Sequence, residues 1–195
     1  EELIRDAIAR IRAQARAVRI LDIAAGHGRY VLDALEGAAT RPDAIVLRDY
    51  SDINVRAGTE LIREKGLADV ARFERGDAFD RQAIAAVTPR PTLAIVSGLY
   101  ELFSDNDRVR ASLAGLADAV ETDGFLLYTG QPWHPQLELI ARALTSHRGG
   151  QAWVMRRRTQ AEMDQLVRDA GFRKIAQRID EWGIFTVSLA QRQPR

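Results

Sequence analysis

Short apolar segments alternate along this chain with segments whose apolar residues recur every three or four positions. The short segments lie at 18–23, 44–47, 70–74, 92–98 and 125–129, and several are continuously apolar, which is typical of strands buried on both faces of a parallel sheet. The segments between them have the spacing of helices that pack one face on a core. This alternation predicts an α/β protein built on parallel strands.

The last third of the chain departs from that alternation. Thr159 and Glu162 have the spacing of a capping box and predict the start of a helix. Residues 172–179 and 184–190 then predict two strands joined by a short turn. Together these elements predict a single domain over residues 1–195, with a Rossmann-like, doubly wound sheet of seven strands that closes with an antiparallel terminal hairpin.

Two predicted helices bear on a site at the edge of this sheet. Residues 1–17 have apolar side chains at helical spacing, and a helix there covers either one edge of the core or the ligand site. A second helix is predicted from Pro135 to Thr145, because proline suits a first helical turn. The predicted inward face of that helix consists of Leu137, Ile140, Ala141 and Leu144.

The composition narrows the class of protein. Hydrophobic residues make up 46% and charged residues 28% of the 195 residues, which is ordinary for a globular domain. The formal net charge of +1 gives no broad positive field, so we expect no nucleic-acid partner. The sequence has no cysteine, and its three histidines lack a metal-ligand spacing, so neither thiolate chemistry nor a metal site is expected. No apolar run approaches the roughly 18 residues of a membrane span, and no signal peptide is visible, so a cytoplasmic location is expected.

The turn after the first predicted strand has the pattern Asp22-x-Ala24-x-Gly26-x-Gly28, and a helical pattern follows it. Small residues allow the backbone to approach a ligand closely. The free N–H groups at the start of the next helix attract polar or anionic groups. The turn therefore predicts a cradle for a nucleotide or a carboxylate. The third glycine of a dinucleotide fingerprint would fall at Val31, so that match is incomplete.

Further candidate residues follow the next two strands. Asp49 lies 21 residues beyond Gly28, where a carboxylate can accept hydrogen bonds from ribose hydroxyls. The alternative is that Asp49 or Ser51 only caps the following helix. Asp77 belongs to a Gly-Asp-Ala turn and either binds a ligand or caps the helix predicted at 80–87.

The fourth and fifth strands end in segments that are rich in chemical groups. Ligands of open α/β sheets bind at the switch point beside the first strand, and the residues expected to face the reacting part of a ligand there are Ser97, Gly98, Tyr100 and Glu101. The loop 130–135 holds an amide, an indole and an imidazole, and we interpret it as substrate-facing. The three arginines at 156–158 are interpreted as a solvated surface, with an anionic substrate group or an acidic membrane surface as the alternatives.

The order of these motifs resembles that of class I S-adenosylmethionine (SAM)-dependent methyltransferases, and the resemblance covers essentially the whole chain. Ala24 stands where a glycine is usual. The segments 97–103, 128–136 and 181–185 are similar to a narrower family of bacterial methyltransferases, which occur alone or joined behind an α/β-hydrolase domain. The resemblance implies SAM as the cofactor, and it leaves a fused or partner hydrolase domain open.

The resemblance also implies roles for individual residues. Asp49 would bind the ribose, Asp77 the adenine amino group, and Asp22 would order the turn or meet the amino group of the methionine part. His27 would line that same end of the cofactor. The full set of cofactor-binding residues implied is Asp22, Ala24, Gly26, His27, Gly28, Asp49, Tyr50, Ser51, Asp77, Ala78, Ser97 and Gly98.

A methyl acceptor with a hydroxyl group needs a base, for which His134 is the first candidate and Glu101 the second, with Tyr100 orienting the acceptor. The fourth strand lacks the Asn/Asp-Pro-Pro-Tyr run of enzymes that methylate amide or exocyclic amino nitrogens, which counts against those acceptors. We expect methyl transfer to a small-molecule or lipid-related acceptor. Two other classes stay open, namely a non-catalytic SAM-binding or interaction domain that serves a fused or partner hydrolase, and, with less support, an NAD-binding oxidoreductase.

Overall fold

The computed structural model describes residues 1–35, 41–145, 150, 153 and 155–194. The strands in this part of the chain are β1 (Arg19–Ile23), β2 (Ala44–Asp49), β3 (Ala71–Arg75), β4 (Leu93–Val96), β5 (Phe125–Gly130), β6 (Phe172–Ile179) and β7 (Thr186–Arg192). The helices are α1 (Glu2–Ala13), α2 (Arg29–Ala34), α3 (Asp52–Glu64), α4 (Arg81–Ala85), α5 (Asn106–Ala119), α6 (Leu137–Ala143) and α7 (Gln160–Asp169). A single 3₁₀ turn, Tyr100–Leu102, follows β4.

The strands form one sheet in the order β3-β2-β1-β4-β5-β7-β6. Strands β1 to β5 run parallel, whereas β7 pairs antiparallel with both β5 and β6. The predicted doubly wound sheet with its antiparallel terminal hairpin is therefore confirmed. The direction of winding reverses between β1 and β4, so the loops that leave these strands diverge and open a crevice at their carboxyl ends.

Helices cover both faces of the sheet. Apolar side chains of α1, α2 and α3 pack on one face, and those of α4, α5 and α7 pack on the other. Along β1 the residues alternate between the two cores, with Leu21 and Ile23 in one and Ile20 in the other. Because both faces are covered, the central strands are buried along their length and are rich in apolar residues. Within the described residues, no helix is both long enough and apolar enough to cross a membrane.

Two helices differ from the sequence expectation. Helix α1 ends at Ala13 rather than at residue 17, because Ala15 has a φ of 54°, which a right-handed helix cannot continue through. Its apolar face packs into the core, through Leu3, Ile4, Ala7, Ile8 and Ile11. Helix α6 buries none of its residues, and the prediction of an inward face at Leu137, Ile140, Ala141 and Leu144 is wrong. Both faces of the sheet are already covered by other helices, so α6 lies outside the core.

Candidate active site

A cavity of about 1040 Å³ opens where the chain leaves the carboxyl ends of β1 to β4. This volume is sufficient for a nucleotide-sized ligand. The residues implied by the sequence that line it are Ala24, Gly26, Asp49, Tyr50, Ser51, Asp77, Ala78 and Gly98. The other lining residues are Ile53, Asn54, Gly76, Phe79, Leu99, Leu102, Phe103 and Arg108. Most of these are apolar neighbours of the predicted residues, and spacing alone did not single them out.

The turn after β1 has an unusual backbone. Ala24, Gly26 and Gly28 have positive φ values of 66°, 59° and 72°. A Cβ atom on Gly28 would lie 2.4 Å from Leu47 Cδ1, so the position suits glycine, whereas a Cβ atom on Gly26 would meet nothing within 4 Å. Gly26 therefore borders open space in the cavity. The left-handed conformation at Ala24 explains why glycine is usual there, since any other L-residue is strained in it.

Asp49 connects this turn with the start of α3. Its Oδ2 atom accepts a hydrogen bond from the Gly26 N–H at 2.9 Å. Its Oδ1 atom accepts from the Ser51 N–H at 2.9 Å and from Asn54 Nδ2 at 3.0 Å. Asp49 thus organises two walls of the cavity and also supports the helix start. The Ser51 side chain makes no capping hydrogen bond, so the capping alternative is wrong for Ser51.

Asp22 lies completely buried at the base of the turn. The Tyr30 hydroxyl donates a hydrogen bond to Oδ2 at 2.5 Å, whereas Oδ1 has no partner among the described residues. The pKa of Asp22 is raised to about 8, mainly by burial. The hydrogen bond from Tyr30 opposes this shift, and the charge of Asp49 adds to it. Burial and the Asp22 carboxylate also raise the pKa of Tyr30, whereas a hydrogen bond with the Ser97 side chain lowers it. The open Oδ1 atom is suited to a hydrogen-bond donor from a ligand.

The turn after β3 places Asp77 and Ala78 in the cavity wall. Asp77 Oδ1 accepts a hydrogen bond from the Phe79 N–H at 2.8 Å. Asp80, rather than Asp77, caps α4 by accepting from a backbone N–H of that helix at 3.0 Å. The capping alternative for Asp77 is therefore wrong. The rings of Phe79 and Phe103 meet edge to face at 4.4 Å and make this side of the cavity apolar.

A second cavity, of about 10 Å³, lies beyond the ends of β4 and β5 and has room for about one water-sized group. It is lined by Tyr100, Glu101, Thr129, Gly130, Gln131, Arg156, Arg158, Gln160 and Met163. Glu101 lies at the boundary between the two cavities, because a Cβ atom on Gly98 would be 4.0 Å from Glu101 Oε1. Burial raises the pKa of Glu101, while its own backbone N–H and the charge of Arg158 oppose this shift.

The other two predicted catalytic residues are placed differently. The Tyr100 hydroxyl lies in the core and shares a hydrogen bond of 2.9 Å with Ser112 Oγ, so it is turned away from the large cavity. His134 Nδ1 accepts a hydrogen bond from the Gln136 N–H at 3.1 Å. Neither of the two cavities described here is lined by His134 or by His27. Of the three predicted catalytic groups, the carboxyl of Glu101 is thus the one that the structure brings to the boundary of the cavities.

The three consecutive arginines are not a uniform surface. Arg157 is exposed, whereas Arg158 is buried and donates to the carbonyl oxygens of Tyr100 at 2.6 Å and Phe103 at 2.8 Å. Arg156 donates to a further carbonyl oxygen of this loop at 2.6 Å. The interpretation as a solvated surface is therefore wrong for two of the three. An extended segment points alternate side chains to opposite sides, and here the inward pair holds the loop after β4 in place.

The reversed last strand and the cavity above β1 to β4 together define the class I methyltransferase fold. A possible exported protein from Bordetella parapertussis has this fold with a TM-score of 0.76 and 20% identity, over 99% of this chain and 67% of that chain. The magnesium protoporphyrin IX methyltransferase ChlM from Synechocystis PCC 6803, solved with bound SAH, matches with a TM-score of 0.69 and 15% identity, over 98% of this chain and 83% of that chain.

The sequence places the chain more narrowly within this class. A family model described as "Putative methyltransferase" matches residues 1–192, and the chain belongs to that family. The Escherichia coli (strain K12) protein YnbC, an uncharacterized protein, is 63% identical over 191 residues, which are 98% of this chain and 32% of YnbC. The chain thus spans about a third of the length of that relative.

Proposed function

We propose that this chain is a SAM-dependent methyltransferase that binds SAM in the large cavity and transfers the methyl group to a small-molecule or lipid-related acceptor. The observation that carries the proposal is the combination, in one cavity of about 1040 Å³, of an open glycine turn after β1 with the carboxylates of Asp49 and Asp77. The binding of SAH by ChlM, which has the same fold, supports this assignment. Membership in a methyltransferase family agrees with it.

The residues present fit the cofactor. Gly26 leaves space for a ligand against its backbone. Asp49 and Asp77 each have lone pairs beyond those used within the protein, so Asp49 can accept from ribose hydroxyls and Asp77 from the adenine amino group. Asp22 Oδ1 has no hydrogen-bond partner among the described residues, and when Asp22 is ionised this atom can accept from the amino group of the methionine part.

When bound, SAM supplies an electrophilic methyl carbon attached to a sulfonium. The residues of this chain supply geometry and exclude water. Leu102, Phe79 and Phe103 form an apolar wall of the cavity. Gly98 has no side chain between the two cavities, so an acceptor can approach the cofactor there.

The alternative of a non-catalytic SAM-binding or interaction domain has one observation in its favour. The chain matches only 32% of the length of YnbC, so in that protein the domain accompanies other polypeptide. That alternative predicts the same cofactor affinity without methyl transfer to any acceptor.

Calorimetric titration of SAM, S-adenosylhomocysteine and NAD tests the assignment of the cofactor. We expect the two adenosyl ligands to bind with a Kd on the order of micromolar (about −8 kcal/mol) and NAD to give no heat. Asp49→Ala should weaken both by at least about tenfold, since it removes the ribose acceptor and frees the Gly26 turn. Asp52→Ala is the matched control, because Asp52 is exposed and does not line the cavity. Preference for NAD, or no binding of either adenosyl ligand, would overturn the proposal.

A further inference from the structure

Gln131 presents an open acceptor atom inside the small cavity. The residue is only 5% exposed, and its Oε1 atom has no hydrogen-bond partner among the described residues. Leaving a buried amide oxygen unpaired is unfavourable, because the atom loses its hydrogen bonds to water without a replacement. Such atoms therefore mark positions where a water or a ligand group completes the structure.

The nitrogen donors around this cavity already make hydrogen bonds within the protein. Each guanidinium nitrogen of Arg158 donates one, to two carbonyl oxygens of the loop after β4 and to Asn106 Oδ1 at the start of α5, at 2.6 to 2.8 Å. Arg156 donates from both Nη atoms at 2.6 Å, and Gln160 Nε2 donates to Asp164 at 2.7 Å. Two acceptors face the same space, namely Gln131 Oε1, which has no partner among the described residues, and the carboxyl of Glu101. A donor can satisfy Gln131 Oε1, whereas a carboxylate or a phosphate would place further acceptor atoms against it and against the ionised Glu101.

The charge and the size of the cavity restrict which chemical class of hydrogen-bond donor it can hold. Two guanidinium groups line the same space, which disfavours an ammonium group. The volume of about 10 Å³ admits about one water-sized group. A neutral hydroxyl has this size and donates one hydrogen bond at a time. A Cβ atom on Gly98, which lines the large cavity, would be 4.0 Å from Glu101 Oε1, so the two cavities are neighbours.

Building on the proposed function, we propose that the small cavity receives the reacting hydroxyl group of the methyl acceptor. The hydroxyl first donates its single hydrogen bond to Gln131 Oε1, which holds it in the cavity, and then turns its hydrogen to the Glu101 carboxylate, which takes the proton. The hydroxyl oxygen forms a bond to the methyl carbon as the bond from that carbon to the sulfonium sulfur breaks. The electron pair of the broken bond stays on sulfur, which becomes a neutral thioether, and the proton ends on Glu101.

Side-chain amide NMR spectra of the protein saturated with S-adenosylhomocysteine test this assignment without knowledge of the natural acceptor. The hydroxyl probes are phenol and cyclohexanol, and the controls are anisole, which has no hydrogen to donate, and benzoate, which is an anion. The Gln131 signal is assigned by its loss in Gln131→Met. Gln165→Met is the matched variant, because Gln165 is an exposed glutamine of α7.

We expect a hydroxyl probe to shift the Gln131 signal saturably, with a Kd at least about tenfold below those of anisole and benzoate, the value of one buried hydrogen bond. In Gln131→Met the affinity, read from the Gln160 signal, should fall by a similar factor, and in Gln165→Met it should not change. Both variants should still bind S-adenosylhomocysteine, which shows that they are folded. The inference is overturned if neither hydroxyl probe shifts Gln131, or if anisole or benzoate shifts it equally. Failure of the wild type to bind S-adenosylhomocysteine would instead overturn the proposed function.

Discussion

Asp22→Asn is expected to stabilise the protein by an amount that depends on pH. Burial raises the pKa of Asp22 from 3.8 to about 8, so the folded protein retains a proton that the unfolded chain releases. The raised pKa therefore makes its full contribution to the unfolding free energy below about pH 3.8, where the unfolded chain also keeps the proton. As the pH rises, this contribution falls by about 1.4 kcal/mol per pH unit, and it is gone above about pH 8. At pH 7 the wild type has lost on the order of 4 kcal/mol of unfolding free energy, and Asp22→Asn avoids this loss because asparagine does not titrate.

Denaturant unfolding of the wild type and Asp22→Asn at pH 5 and at pH 7 measures this effect. Over those two pH units the variant should gain about 3 kcal/mol relative to the wild type. Comparing two proteins cancels the titration of groups they share. Any fixed cost of placing an amide in this site also cancels, because it does not change with pH.

The control is Asp107→Asn, since the Asp107 side chain is 87% exposed. It should show no comparable change between the two pH values, because Asp107 lacks the burial that raises the pKa of Asp22. A difference between wild type and Asp22→Asn that stays constant from pH 5 to pH 7 would refute the reasoning. That result would mean that Asp22 is ionised in the folded protein.

Three further outcomes follow from the local geometry. Ala24→Gly should raise the unfolding free energy by up to about 1 kcal/mol, or the Tm by about 2–4 °C, because it relieves a left-handed alanine; a lower Tm contradicts this. Gly28→Ala should lower the free energy by about 1–2 kcal/mol or more, since the new methyl would also meet Leu47; an unchanged Tm contradicts it. Arg158→Met should lower it by about 3 kcal/mol, whereas the exposed Arg157→Met should stay within about 0.5 kcal/mol; equal effects of the two would show that the bonds of Arg158 do not stabilise the loop.

The sequence predicted the sheet and the turn after β1 well, because those features are local. Apolar runs report burial on both faces, and the spacing from Gly28 to Asp49 reflects one strand–helix–strand unit. The inward face of α6 was predicted wrongly, although the helix itself is present, because periodicity shows which side of a helix is apolar but not whether any surface remains for it to cover.

The contacts of Arg158 and Tyr30 could not be predicted from the spacing of residues along the sequence. Arg158 binds carbonyl oxygens of a loop 58 and 55 residues earlier in the chain, and a run of basic residues is usually solvated. Tyr30 lies in the first turn of α2, and its spacing does not indicate that its hydroxyl donates a hydrogen bond to Asp22 Oδ2. Asp77 was the expected alternative cap of the next helix, and only the backbone conformation shows that Asp80 caps it instead.

In the described part of the segment between β5 and α7, the buried side chains lie near its two ends. Gln131 is buried at its beginning and Arg158 at its end, whereas α6 leaves all of its side chains outside the core. Sequence drift in α6 therefore has little effect on folding while the anchored ends persist. A library that randomises these seven residues should therefore keep most of its members folded.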